Sequence, residues 1–410
     1  MRPVPDIVCL STNHWSGLAT SKTHLMKILS GSGRVLFVEP PVDLFSVLGR
    51  RRRWAKLSGL RRVGDGPWVL PAVAPSSHRS TRWLRDYHAR RIGAVRAAQE
   101  RLRLERPVVW AFGPEHVEYA GKLGESLLVY HVADEPSSLV RDPDEARAAD
   151  REMVAKADVV FAVSERLARD RRTRGRTRRL RNAADRRHYA GVLSGDPDAD
   201  IDEFTEALKR AARPPELRAV DGPVILFGGA AYDWFDVGLL AGAAAERPEW
   251  TFALVGPKGE RVARAALPGN VLAIGRRPYS EFPRYVASAD ATFIPVRKGE
   301  TYDTCDPIVV YEYLLCGKQV VATPFPAASE HGGLVRTAGD VRGFVSEMEA
   351  ALEDAGDASE VRRRVEYGFA NTWENRAALA VGVLNSALGR GSTGQTSARD
   401  GAHAEDAEVA

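Results

Sequence analysis

Short apolar runs recur along this chain, each closed by Gly, Pro or Asp and followed by a stretch with helical spacing. In the first half they predict strands at residues 6–10, 34–39, 108–112, 127–132 and 159–163, with a helix from about residue 20 to 29. In the second half they predict strands at 224–227, 250–255, 271–274, 291–296 and 319–323. Helices are expected at about 235–246 and 281–287, and a short one carrying Glu312 ends at Gly317. Near-continuous apolar strands alternating with helices are the pattern of parallel sheets covered on both faces. The segments AKADVVFAV (155–163) and ASADATFIPV (287–296) echo each other, each placing a helix end and an Asp before a buried strand. The expected fold class is α/β, with two doubly wound, Rossmann-like domains facing across a cleft.

A chain of 410 residues exceeds a usual single core. The expected division is 1–190 as an acceptor-side domain, 191–222 as a linker rich in Asp and Pro, and 223–373 as a second domain. A last helix at 374–388 follows, then a disordered, weakly apolar tail at 389–410. No apolar run approaches the ~20 residues that cross a bilayer, and the opening MRPVPDIVCLS has no secretory pattern. Cys9, Cys305 and Cys316 have no metal-ligand spacing, and their odd number argues against a disulfide framework. A cytoplasmic location and no metal site are the expectations.

Charge divides the chain. Residues 1–190 hold 36 Lys and Arg against 21 Asp and Glu, whereas the remainder holds 22 against 33. One basic cluster, Arg50, Arg51, Arg52 and Arg53 with Lys56, Arg61 and Arg62, is interleaved with Phe45, Trp54 and several Leu. Such a strip suits docking on an anionic membrane surface, and a solvated loop is the plain alternative. Nothing resembles a helix-turn-helix, zinc or base-stacking motif, so no nucleic-acid partner is expected.

The order Gly228–Gly229, VGPKG (255–259), NVLAIG (270–275), YSEFPRYVASADATFIPV (279–296) and YEYLLCGKQVVAT (311–323) resembles the donor-binding domain of the GT-B nucleotide-sugar glycosyltransferases. It is most similar to the bacterial envelope-polysaccharide group of teichuronic-acid type. The resemblance implies a nucleotide diphosphate sugar as co-substrate and no separate cofactor. It also implies that Glu312 takes the place of the second acid in an E-(seven residues)-E pattern, bonding to the nucleotide ribose. This chain departs from the family at Thr304, where the first acid would fall, and at Val309, where a basic residue is common.

The chemistry needs a base beside the acceptor hydroxyl, donors for the leaving diphosphate and a clamp for the sugar. On the donor side the candidates are Gly228 and Gly229, which let phosphate approach closely, Lys258, Gly275 and Arg276, and the helix start at Asp306 and Pro307, with Glu312. Asp306 could equally cap its helix. On the acceptor side, Tyr130 and Asp134 end a buried strand in Tyr-His-Val-Ala-Asp-Glu, where related enzymes carry Tyr-Asp-x-x-Asp-Asp. The loop with His14, Trp15 and Gly17 offers a second base and a ring to stack on sugar. Asp134 and His14 are the candidate catalytic residues.

These features together predict a metal-independent transferase passing sugar to a lipid-linked or polysaccharide acceptor in envelope synthesis at the inner face of the plasma membrane, and the family resemblance implies a retaining outcome. The alternatives are a nucleotide-sugar epimerase of the same fold and a non-catalytic GT-B scaffold.

Overall fold

The computed structural model of the protein describes residues 4–17, 19–43, 59–74, 80–138, 142–173, 175–299 and 303–392. Phe45, Arg50, Arg51, Arg52, Arg53 and Trp54 lie outside them. Strands β1 (Ile7–Leu10), β2 (Val35–Asp43), β3 (Arg61–Arg62), β4 (Trp68–Ala74), β5 (Val108–Ala111), β6 (Leu127–Val132), β7 (Val159–Ala162) and β8 (Thr177–Arg179) form the first sheet. The second holds β9 (Val224–Gly228), β10 (Thr251–Val255), β11 (Val271–Gly275), β12 (Ala291–Ile294), β13 (Gln319–Ala322) and β14 (Val335–Thr337). Spatial order is β3-β4-β2-β1-β5-β6-β7-β8 in the first sheet and β11-β10-β9-β12-β13-β14 in the second. Among the described residues only the β3–β4 pair is antiparallel.

The continuous apolar runs became strands buried along their whole length, as in β1, β5, β6 and β7. Four strands were not expected. Two of them, β8 (TRR) and β14 (VRT), are short and carry Arg where a core run would be apolar. β3 is the Arg61–Arg62 pair read above as part of a membrane strip. β4 carries Pro71, and β2 carries Pro40 and Pro41, where the β2–β4 register shifts. Proline has no N–H to give a neighbouring strand. Arg91, on the helix Thr81–Leu102, compensates by donating to the carbonyls of Glu39 (2.9 Å) and Leu70 (3.3 Å).

Each sheet reverses its winding once: between β1 and β5 in the first lobe, and between β9 and β12 in the second. At such a reversal the loops leaving the carboxyl ends diverge and leave a crevice, the usual ligand position in open α/β sheets.

The last helix, Trp373–Ser392, packs on the first helix, Ser21–Ser30. Its Trp373, Ala377, Ala380, Val381 and Leu384 join the core of the first lobe. The helix continues through residues 389–392, which were expected to belong to the tail. At the crossing, Ala184 donates its N–H to the Asn371 carbonyl at 3.0 Å and accepts from Trp373 at 3.1 Å. No helix among the described residues is long and apolar enough to cross a membrane.

Candidate active site

In the second lobe the loops after β9, β10 and β11 are stitched edge to edge. Gly229 N–H donates to Val255, Gly256 to Gly275, and Ala231 to Pro257, each at 2.9 Å. Gly256 has φ 143°, and a Cβ there would lie 1.9 Å from the Gly229 oxygen. A Cβ on Gly228 would enter the Phe282 ring at 2.1 Å. Glycine is therefore required at Gly256 by close backbone packing, and at Gly228 by the Phe282 ring. The stitching brings Gly229, Lys258 and Gly275 around one small hollow beside Gly228. Lys258 and Arg276 are exposed, and among the described residues neither has an ion-pair partner, which leaves both cations available to an anion.

Glu312 sits on the helix Ile308–Leu315, whose sequence is apolar on every side and therefore buried. The side chain is 3% exposed and accepts a hydrogen bond from the Tyr279 hydroxyl at 2.7 Å. Burial pushes its pKa up to about 7. Tyr279 itself stacks on His188, with ring centroids 4.4 Å apart, and meets His24 edge-on at 5.8 Å. His24 lies 3.2 Å from Asp185 and stacks on Trp373. Glu312 is thus joined through one tyrosine to the seam between the lobes.

Asp306, expected among the donor contacts, belongs to that seam instead. Its side chain has no exposed surface. It accepts from the Asn182 N–H at 2.8 Å and from Tyr311 at 2.9 Å, and Arg181 lies 3.6 Å away. A carboxylate so enclosed is closed to a sugar. Pro307 is the N-cap of the Glu312 helix. At Cys305, two residues before it, burial first and then the Asp306 charge, with a smaller contribution from Asp134, push the thiol up to about 12.

Asp134 is exposed beyond the end of β6. Tyr130, expected beside the acceptor, is a core residue, 1% exposed, and its hydroxyl donates to Asp150 at 2.6 Å. Arg171 bonds both Asp150 (3.1 Å) and Glu135 (3.0 Å), which fixes the loop that carries Asp134. His14 is half-buried, with Nδ1 3.7 Å from the Glu39 carboxylate. Trp15 donates its N–H to Glu39 at 2.9 Å and packs its ring edge-on against Phe37. Trp15 is half-buried against the core, and Gly17 closes the turn by donating to the His14 carbonyl.

The sequence reading missed Lys22, Glu39, Arg171 and Tyr279. Lys22, in the first turn of its helix, is 6% exposed and has no ion-pair partner among the described residues. Its ammonium lies 5.4 Å from the Phe112 ring centroid. Burial lowers its pKa, opposed by the charges of Asp134, Cys9 and Glu115. Nothing in the local letters Ser-Lys-Thr-His marks this lysine, because its burial comes from the neighbouring strands.

His88, Glu115 and His116 come together below this region. The Gly113 N–H donates to His116 Nδ1 at 3.1 Å. That ring nitrogen is therefore the acceptor, and Nε2 keeps its proton in the neutral imidazole that burial enforces. A protonated Nε2 cannot ligate a metal, and the cluster reads as a buried hydrogen-bonded group.

The two facing doubly wound lobes, the helix crossing back and the paired crevices define the GT-B architecture. Over almost its whole length the chain is similar to Anabaena HepE solved with UDP and glucose, with TM-score 0.64, 17% identity and coverage of 93% of this chain and 100% of that one. It is also similar to sucrose-phosphate synthase from Thermosynechococcus elongatus, with TM-score 0.68, 15% identity and coverage of 94% and 100%. Residues 222–354 match the model for glycosyl transferases group 1. Over 135 residues the chain is 30% identical to TuaH of Bacillus subtilis, provisionally assigned as a teichuronic acid biosynthesis glycosyltransferase; the match covers 31% of this chain and 33% of that relative. The protein has a GT-B fold, and its residues 222–354 are similar to the glycosyl transferases group 1.

Proposed function

We propose that the protein is a glycosyltransferase that takes a sugar from a nucleotide diphosphate donor and passes it to a lipid-linked or polysaccharide acceptor in envelope synthesis. The observation that carries this reading is the hollow lined by Gly229, Gly256, Gly275 and Lys258 after β9, β10 and β11, in the lobe that also holds the buried Glu312 helix. In this reading Glu312 accepts from the ribose hydroxyls, taking them in exchange for Tyr279. Lys258 and Arg276, exposed and without ion-pair partners among the described residues, neutralise the leaving diphosphate. Positive side chains aimed at developing phosphate charge make a metal ion unnecessary, so the reaction is proposed as metal-independent. Asp134 accepts the acceptor proton or stabilises positive charge on the sugar, and His14 is the second candidate for the base. A retaining outcome follows only from the family resemblance. The enzyme would work at the inner face of the plasma membrane, where such acceptors are made.

The test starts with a thermal-shift screen of UDP-, GDP- and ADP-sugars on the purified protein. Turnover of the stabilising donor is then followed by release of nucleoside diphosphate. Sugar transfer to an added lipid or glycan acceptor supports the reading. An epimerised nucleotide sugar formed without acceptor replaces it with an epimerase, and saturable donor binding without any turnover replaces it with a scaffold.

A further inference from the structure

An open groove lies away from the candidate active site. It runs between the last helix and the amino ends of β6, β7 and β8, and has a volume of about 930 Å³. Leu127 and Val159, which line it, are the first residues of their strands, whereas the active-site loops leave the opposite, carboxyl ends. Leu379, Val383 and Ala387 supply an apolar wall from the helix. Leu379 is 58% exposed, one of two large hydrophobic side chains so exposed among the described residues.

The rim is basic. Arg176 and Arg178 are exposed and have no ion-pair partner among the described residues; each donates one Nη1 bond to a backbone carbonyl, Ala157 and Thr177 respectively. Arg376 is already engaged by the Asn182 carbonyl and the Asn371 side chain. The one acid in the lining, Asp158, accepts the Leu128 N–H at 2.8 Å.

We propose that this groove binds an anionic phospholipid, with acyl chain along Leu379, Val383 and Ala387 and phosphate between Arg176 and Arg178. Both halves of the site are needed to choose this occupant. An apolar wall has no use for a free sugar phosphate, and two guanidinium groups without carboxylate partners have no use for a neutral chain. The volume falls within the ~300–1,000 Å³ typical of small-ligand sites, enough for part of one lipid. The segment 393–410 is acidic, but Val409 is its one larger apolar side chain, so its composition does not match an apolar wall. The excess of Lys and Arg in residues 1–190 favours approach of the first lobe to an anionic surface. Bound there, the protein would hold its first lobe on the membrane while the cleft at the other end stays open to donor. This site is independent of the transferase reading.

The test is flotation of the full chain with vesicles of phosphatidylcholine, with and without phosphatidylglycerol. The parent should float only with phosphatidylglycerol. The double variant Arg176→Gln/Arg178→Gln should bind about tenfold or more weakly, the size expected for two charges at such a surface. Gly382→Leu should have the same effect, because a Cβ at Gly382 meets no atom within 4 Å and the new side chain fills the groove without disturbing the fold. Its melting temperature should be unchanged or higher, since glycine in a helix interior is the poorer former. Should Gly382→Leu melt early, Leu379→Gln takes its place as the groove variant. Parental flotation of either the charge or the groove variant, equal binding to phosphatidylcholine alone, or no flotation of the parent would each overturn the proposal.

Discussion

Glu312 illustrates how far a single residue can be read. Its position in a short helix was visible; its burial was not, because that depends on β11 and the crossing segment closing over it. A carboxyl with pKa about 7 against an ordinary 4.5 is half-protonated near neutrality. Its folded pKa is raised, so its contribution to stability is fully present below about pH 4.5 and is lost as pH rises through about 7. Unfolding in urea at pH 5 and pH 8 should therefore give a stability drop in the parent that Glu312→Gln reduces, by on the order of 3 kcal/mol. If ionised Glu312 accepts from ribose, donor affinity should run the other way and strengthen from pH 6 to pH 8, and Glu312→Gln should flatten that profile in calorimetry. For Asp134, Asp134→Asn should lower kcat about 100-fold or more with little change in donor affinity, since a base acts in the transition state. Near-normal turnover in Asp134→Asn with loss in His14→Ala would move the base to His14.

At the scale of elements, the long apolar strands were legible because a strand buried on both faces must be apolar throughout. Strands β3, β4, β8 and β14 were not, since short edge strands and strands with proline lack that signature. They form because a neighbouring strand or Arg91 satisfies their backbone. Glycines at strand ends were legible as turns, but the reason for them was not. Gly256 is glycine because the β9 loop backbone occupies the space of its Cβ. Gly256→Ala should destabilise the protein by roughly 2–4 kcal/mol, combining steric overlap with an unfavourable φ. Differential scanning calorimetry would check it against Gly269→Ala, where a Cβ meets nothing.

For the whole molecule, the seam is the feature that no local pattern announced. Asp306, Arg181, Asn182 and Tyr311 come from segments more than 120 residues apart in sequence and meet around the fully enclosed Asp306 carboxylate. Removing Asp306 leaves the Asn182 N–H and the Tyr311 hydroxyl without their acceptor, while Arg181 keeps Glu330, at a cost of about 1–3 kcal/mol. Asp306→Ala should therefore lower stability by that amount in chemical denaturation, whereas Asp303→Ala, three residues away and exposed, should stay within about 0.5 kcal/mol.

The sequence alone determined the two α/β lobes, the order of their main strands and helices, and the positions of Asp134, Gly228, Gly229 and Lys258 at or just after strand ends and of Glu312 on a short helix. Those features are local: they follow from periodicity, from turn residues and from spacing along one segment. Only the tertiary structure decided that Asp306 and Tyr130 are structural, that Lys22 is buried without an ion-pair partner among the described residues, and that an apolar groove with a basic rim lies along the last helix. Each of these depends on atoms brought together from distant segments, and burial and hydrogen-bond partners are properties of that meeting rather than of the residues themselves.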